Sequence, residues 1–382
     1  MKYAVVAVGY NRPDSIKRLI KSVCTAVYPE VTIDLIVSVD RSTNYLEVLD
    51  AAKSFEWKHG EFITRTFEKR QGLRQHILLC GDYTNTYDAV IVLEDDLVVS
   101  PYYFEYVDQT VKKYANDQNI GGISLYKHSF HPGAFRMFEA DANGYDVFFM
   151  QYAQSWGQCW TKSMWDGFRT WYSRNESQDL GRDGLLPSYI SRWNEHSWLK
   201  YYMRYLVETN KYFVYPYVSL STNASDAGQH CLVPNNDYQV PMRRGSLTYR
   251  LPDFVDAIKY DVFFERSHVE EKVLPDLEGT KILDFYGLKK TFDNADYLIS
   301  TQKLPYYVVE EIGLVYKPIE QNAFEPELGH GAFVYKLSEP GGEPKVSQNI
   351  LTRYDVRAIR WKALLKLSLS ELLEGVKNKI RK

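Results

Sequence analysis

The sequence predicts an α/β protein, a mostly parallel sheet with helices on both faces, followed by a C-terminal accessory region. Three observations predict it. Short apolar runs recur, YAVVAV at 3–8 and AVIVL at 89–93 among them, and such runs suit strands buried on both faces. Segments of helical spacing separate the runs, the pattern of right-handed crossovers in a parallel sheet. Polar residues close several of the runs, and sheets of this kind bind ligands beyond the carboxyl ends of their strands.

The elements follow in order. Strand 3–8 leads to Pro13, well placed in the first turn of a helix, whose apolar positions are Ile16, Leu19, Ile20, Val23 and Val27. A strand over 32–39 ends at Asp40. A helix around Tyr45–Phe55 and a strand at Phe62–Phe67 come next. Gly72 punctuates the chain before an amphipathic segment carrying Leu73, Ile77 and Cys80. Strand 89–93 runs straight into Glu94, Asp95 and Asp96. A helix near Tyr102–Tyr114 and a strand near Ile120–Leu125 complete the series. Beyond residue 145 the tryptophans crowd, with helices expected around 161–172 and 197–209 and a strand over 212–222. Short strands are expected at 306–311 and 332–336, and one helix over 353–382.

Composition narrows the function classes. The chain is 45% hydrophobic and 25% charged, as soluble globular proteins are. A net charge of −3 gives no reason to expect a nucleic-acid partner. Its four cysteines form no CxxC pair, which argues against a zinc knuckle or a disulfide scaffold. The aromatic share is 15%; rings with polar edges suit sugar faces and protein cores alike. The apolar run at the N-terminus breaks at Gly9 and Asn11, too soon for a signal peptide or a spanning helix. A cytoplasmic location is therefore expected.

VLEDDLVVSP, residues 92–101, carries the strongest chemical signal. Its adjacent carboxylates repel one another, and their pKa values rise when they stand unpaired. A divalent cation removes that cost, and oxygen ligands suit Mg²⁺ or Mn²⁺. A nucleoside diphosphate would supply further ligands, and the metal would stabilise charge on the leaving phosphate. A solvated acidic turn capping the next helix is the plainer reading. The position directly after a buried strand favours the metal.

These segments together resemble the GT-A glycosyltransferases, a Rossmann-like fold. The likeness is closest to the group of N-acetylglucosaminyltransferase I and similar bacterial surface-polysaccharide transferases. It is carried by AVVAVGYNRPDSIKRLIKSV (4–23), SVD (38–40), AVIVLEDDLVVSPYYFEY (89–106), SWGQCWTKSMW (155–165) and YVSLSTNASDAGQH (217–230), and spans roughly residues 1–235. It implies a catalytic domain over 1–235 for nucleotide-sugar and acceptor; beyond it, short strands among many turn residues suggest an accessory subdomain or wrap over 236–350, and the basic, apolar-striped end a basic amphipathic helix over 351–382. The activity implied is metal-dependent, inverting transfer of a hexosyl or N-acetylhexosaminyl group. The donor is a nucleotide diphosphosugar, with UDP favoured, and the acceptor a hydroxyl of a saccharide or lipid-linked acceptor.

Residue by residue, the resemblance assigns Tyr10, Asn11 and Arg12 to the nucleotide-binding loop and Asp40 to the base. Glu94 and Asp95 belong to the donor site, with Asp95 near ribose and sugar, and Asp96 is the direct metal ligand. Arg74, after Gly72, either approaches the diphosphate or is a surface helix arginine. His230 matches a position near the donor phosphates, where a neutral imidazole would ligate the metal or bond a phosphate oxygen; a lone loop histidine is the alternative. An inverting transferase also needs a general base for the acceptor hydroxyl. The expected Trp-Asp pair reads Trp198-Leu199 here, which leaves Glu195 as the nearest carboxylate and Asp183, Asp226 and His196 as competitors. His128 and His131 lack a third ligand nearby and make a poor metal pair. Trp156 and Trp160 either shape a sugar pocket or pack the core.

Nine basic residues against three acids, around an apolar stripe with Trp361, give the last segment the look of an interfacial helix on the inner face of a membrane. A helix docked on protein is the other reading. Two further functions remain: a non-catalytic carbohydrate- or partner-binding protein on the same scaffold, and a sugar-nucleotidyltransferase. VGYNRPDS, with one glycine, disfavours the latter, which needs a glycine-rich phosphate loop.

Overall fold

A computed structural model describes residues 1–180, 183–226, 236–269, 273–344 and 350–380, with side chains to residue 373 in the last segment. The chain forms two compact units, Met1–Val269 with Leu288–Phe292, and Glu270–Gly287 with Asp293–Lys382.

The first unit begins β1 (Tyr3–Gly9), α1 (Pro13–Cys24), β2 (Ile33–Val39), α2 (Tyr45–Ala52), β3 (Phe62–Thr66), α3 (Leu73–Gly81) and β4 (Ala89–Glu94). It continues β5 (Leu97–Val99), α4 (Tyr103–Tyr114), β6 (Ile120–Ser124), β7 (Phe130–His131), β8 (Arg136–Met137), β9 (Val147–Met150) and β10 (Gln158–Thr161). It closes with α5 (Lys162–Asn175), α6 (Ser188–Ser191), α7 (Trp198–Glu208), β11 (Tyr212–Pro216), β12 (Ser221–Asn223) and β13 (Lys259–Tyr260). Nine strands form one sheet in the order β13-β9-β11-β6-β10-β4-β1-β2-β3. The stretch from β3 to β4 is parallel, and β10 runs antiparallel between β4 and β6. The sheet is mostly parallel, as the apolar runs predict.

Every residue of β1 and β2 is buried: apolar side chains fill most positions under helices, and the polar Asp34 and Ser38 are hydrogen-bonded, Asp34 by Tyr87 and the Glu61 N–H and Ser38 by His76. Pro13 stands at the start of α1, and Ile16, Leu19, Ile20 and Val23 face the core. Val27 does not; the helix ends at Cys24 and Val27 is exposed. The strand expected over 212–222 is two strands. Pro216, which has no N–H for a ladder, closes β11. Ser221–Asn223 then pairs with β5 in a separate small sheet, Asn223 opposite Leu97. The tryptophans mostly pack: Trp160, Trp165 and Trp198 are buried, with Trp160 and Trp165 ring centroids 4.6 Å apart. Trp156 stays half-exposed.

The second unit holds β14 (Lys281–Asp284), β15 (Tyr297–Ser300), β16 (Tyr306–Ile312), α8 (Gln321–Phe324), β17 (Ala332–Pro340), α9 (Ile350–Val356) and α10 (Trp361–Ile380). Its four strands order as β14-β15-β17-β16 around Leu298, Ile299, Val334 and Tyr335. The C-terminal helix is broken in two. Tyr354 donates to the Tyr316 carbonyl at 2.6 Å and Arg357 to the Val315 carbonyl at 2.5 Å, so α9 is fastened to its own unit. On α10, Trp361, Leu365, Leu367, Leu369, Leu372 and Leu373 are exposed. Among the described residues no helix is long and apolar enough to cross a membrane.

Candidate nucleotide-sugar site

The parallel neighbours β2, β1 and β4 end at one edge of the sheet, and the polar residues that close them share that edge. Asp40 follows β2 and is buried. Its Oδ1 accepts from the backbone N–H of Arg41 and of Gln71, both at 2.8 Å, and its Oδ2 from Gly72 N at 2.9 Å. A carboxylate offers about four acceptor positions, so this one orders a loop and keeps acceptor capacity on Oδ2. The loop needs glycine at 72, where φ is +78°. The Gly72 carbonyl then accepts from His76 N at 2.9 Å and starts α3. Burial pushes His76 down to about 4, and its neutral ring bonds Ser38 Oγ at 2.8 Å beneath Asp40.

Tyr10, Asn11 and Arg12 leave β1. The Tyr10 carbonyl accepts from Ser42 Oγ at 2.8 Å and the Asn11 carbonyl from Asn44 at 3.2 Å, which ties this loop to the one after β2. The Arg70 guanidinium lies 4.9 Å from the centre of the Tyr10 ring. Arg12 reaches across to the acidic run. Its Nε donates to Asp95 Oδ2 at 3.3 Å, its Nη2 to Asp95 Oδ1, and Nη2 stands 3.5 Å from Asp96 Oδ2.

One guanidinium thus serves a crowd of carboxyl groups, and each settles differently. Burial pushes Asp95 up to about 6, against the pull of Arg12. Burial first, then the charges of Asp96 and Asp95, hold the Glu94 carboxyl well above the usual range. Asp96 Oδ1 is buried without a hydrogen-bond partner among the described residues. Such an acceptor is costly to leave unmet. The Asp96 carbonyl accepts from Ala224 N at 2.7 Å, so β12 pins the acidic loop in place. Among the described residues no three His, Cys, Asp or Glu converge as a metal cage. The donor set is one open carboxylate oxygen beside a paired aspartate, which leaves most of a cation's coordination to a ligand such as a diphosphate.

The three candidate bases fall in different settings. Asp226 accepts from Ser15 Oγ at 2.6 Å and pairs with Arg18; burial opposes the shift, but these bonds hold its pKa below the ordinary value. Asp183 pairs with Arg204 at 2.5 Å, and that hydrogen bond lowers it too. Glu195 is exposed in the turn before α7, and the contact described for it is made by its carbonyl. That carbonyl accepts from Arg74 Nη1 at 2.9 Å. Arg74 also donates to Tyr172 Oη at 2.6 Å and to the Glu176 carbonyl at 2.9 Å, with its guanidinium 4.1 Å from the Tyr201 ring centre. It joins the Gly72 loop to the turn of Glu195, so its donors are committed away from a diphosphate. His196, next to Glu195, is exposed. His230 lies outside the described residues. His128 and His131 are buried among rings, and His131 bonds the Phe263 carbonyl at 3.1 Å.

Sequence reasoning misses the partner that Arg12 takes and the Arg18–Asp226 pair. Both join residues far apart in the chain, and no local spacing announces them. The Gln71–Gly72 turn over Asp40 is signalled only by its glycine.

The model of the family described as Glycosyl transferase family 2 matches residues 4–174, a little under half of the chain, and that segment holds β1, β2, β4 and the acidic run. The match bears out the resemblance to GT-A glycosyltransferases for the segment, without reaching the narrower likeness to N-acetylglucosaminyltransferase I. No curated protein matches the chain. Among solved structures, TarS 1-349 of S. aureus is similar over 59% of this chain and 61% of that one, at 11% identity and a TM-score of 0.37. The same segment in complex with UDP-GlcNAc gives 13% identity, 60% of each chain and a TM-score of 0.39. The mannosyltransferase PcManGT of Pyrobaculum calidifontis, in complex with GDP-Man and Mn²⁺, gives 11% identity, 45% and 46% coverage and 0.30. The chain thus spans about three fifths of the length of the TarS segment it matches.

Proposed function

We propose that the protein is a glycosyltransferase that moves a hexosyl or N-acetylhexosaminyl group from a UDP-linked donor to a saccharide or lipid-linked hydroxyl, with inversion. The observation that carries this reading is Asp96 Oδ1, without a partner among the described residues and buried beside Asp95 and Glu94 where three parallel strands end. The family match over 4–174 supports it.

Each residue has a place in the reaction. Asp40 receives an N–H of the donor base on its remaining acceptor position, while the Tyr10 and Asn11 loop bounds the nucleotide. Mn²⁺ or Mg²⁺ would be held by Asp96 through Oδ1 and would supply charge stabilisation on the leaving diphosphate. Arg12 turns from Asp95 toward the phosphates and frees that carboxylate for ribose and sugar. Burial and then the charges of Asp96 and Asp95 raise the Glu94 pKa, so it carries less negative charge toward the donor than the other acids of the run. Glu195 takes the proton from the acceptor hydroxyl as its oxygen attacks the anomeric carbon. It is favoured over Asp183 and Asp226 because arginines and hydrogen bonds hold those two carboxylates down. Arg74 is a positioning residue for the turn of Glu195.

The test is UDP release from UDP-hexoses and UDP-N-acetylhexosamines by the full chain, with Mn²⁺ and with chelator. Release that requires the metal is expected, and Glu195→Gln should lower turnover about 100-fold or more with donor binding kept. Metal-independent release would contradict the reading, and full turnover by Glu195→Gln at saturating donor would remove the base from that position.

A further inference from the structure

Within the first unit a series of aromatic ring contacts joins Trp156 to Phe135. Trp156 stands at its inner end. The Trp156 carbonyl accepts from Ser221 Oγ of β12 at 2.6 Å, and β12 pairs with β5, the strand that follows Asp96. Thr222 Oγ1 on the same strand accepts from Val240 N at 2.9 Å, which brings in the segment of Tyr238. The Tyr238 ring lies 4.6 Å from Trp156, Phe130 follows 6.5 Å from Tyr238, and Phe135 lies 6.1 Å from Phe130, all between ring centres. Trp156, Tyr238 and Phe130 are half-buried, and Phe135 is 79% exposed.

Two features of this series have no structural reward. Phe135 sits in the turn between β7 and β8 at φ +53°, a conformation uncommon for a bulky side chain, and its ring gains little burial there. Behind Trp156, His128 holds an unmet donor. Gln154 Oε1 accepts from the backbone N–H groups of Ser155 and Trp156, so its amide nitrogen donates to His128 Nε2 at 2.9 Å. Burial keeps the ring neutral, its pKa lowered to about 3, so the proton is on Nδ1, which has no partner among the described residues.

We propose that Phe135, Phe130, Tyr238 and Trp156 form the track that binds the saccharide acceptor, outer end to inner end, with the reacting hydroxyl delivered beside Asp96. Sugar rings present C–H faces that stack on aromatic rings while their hydroxyls keep polar partners. A protein partner would call for a broad patch of anchors; here the exposed ring Phe135 leads through Phe130 and Tyr238 to Trp156, which packs on the buried Tyr126 and His128 and is bonded through its carbonyl to β12, the partner of β5. The proposal rests on the glycosyltransferase reading above and adds the acceptor's chemistry to it.

The test uses the full chain, a panel of soluble homo-oligosaccharides of two to six hexose or N-acetylhexosamine units, and UDP with Mn²⁺ as a separate probe. Calorimetry should find at least one oligosaccharide that binds. Phe135→Ser and Phe130→Ala should each weaken it roughly three- to tenfold, with longer chains losing more at Phe135, while UDP binding is kept. Phe135→Ser touches no core, so it separates a lost track from a lost fold. UDP binding without any oligosaccharide binding, or oligosaccharide binding that ignores both variants, overturns the track alone. Absence of both UDP and oligosaccharide binding overturns the track and the reading beneath it.

Discussion

Two acidic regions of the first unit make opposite use of an arginine. Around Arg204, Asp183 stands at 2.5 Å and Glu208 at 2.6 Å, so one guanidinium meets two carboxylates and lowers Asp183. Around Arg12, one guanidinium meets Asp95 and Asp96, with Glu94 behind them. Asp95 and Glu94 are pushed up, and Asp96 Oδ1 finds no partner among the described residues. The first arrangement is closed and gains nothing from a ligand. The second tolerates its charge only partly, and in the proposed function a cation relieves it. What marks a functional acidic cluster is therefore the charge left over after pairing, rather than the number of acids.

Arg204→Met should cost about 1–2 kcal/mol of stability, since the Asp183 and Glu208 carboxylates are partly exposed and regain water, and should leave donor affinity unchanged. Denaturant unfolding beside a UDP titration checks it; a large loss of UDP affinity would make the closed pair part of the site. Glu94→Gln should have a smaller effect of opposite sign. The folded chain raises the pKa of Glu94 above its ordinary value of about 4.5, so its stabilising contribution is full below that pH and is lost as the pH rises. Glutamine mimics the protonated form. The variant should match the wild type near pH 4 and melt higher at pH 8; a lower melting temperature at pH 8 would mean that the cluster needs the charge at Glu94.

The sheet was legible because β1 and β4 are nearly continuous apolar runs and β2 is apolar but for Asp34 and Ser38, the composition of strands covered on both faces. Asp40 and Glu94–Asp96 were placed by the same logic, since each follows such a run directly. Other parts were not legible, for physical reasons. β14 and β15 have four residues each among charged and turn residues, too few to show a period. The break between α9 and α10 is set by contacts of Tyr354 and Arg357 made more than 30 residues away in the chain. Arg74 and Asp226 read as donor-site and base candidates because spacing carries no record of the Tyr172, Glu195, Ser15 and Arg18 atoms that engage them.

The proposed function depends on Asp96 offering Oδ1, which has no partner among the described residues, to a cation that a nucleotide shares. Electron paramagnetic resonance of Mn²⁺ titrated into the chain with saturating UDP reads this directly. The wild type should bind the ion in the presence of UDP, and Asp96→Asn should weaken that binding by about 100-fold with an unchanged or higher melting temperature. Equal Mn²⁺ affinity in the two chains would contradict the account.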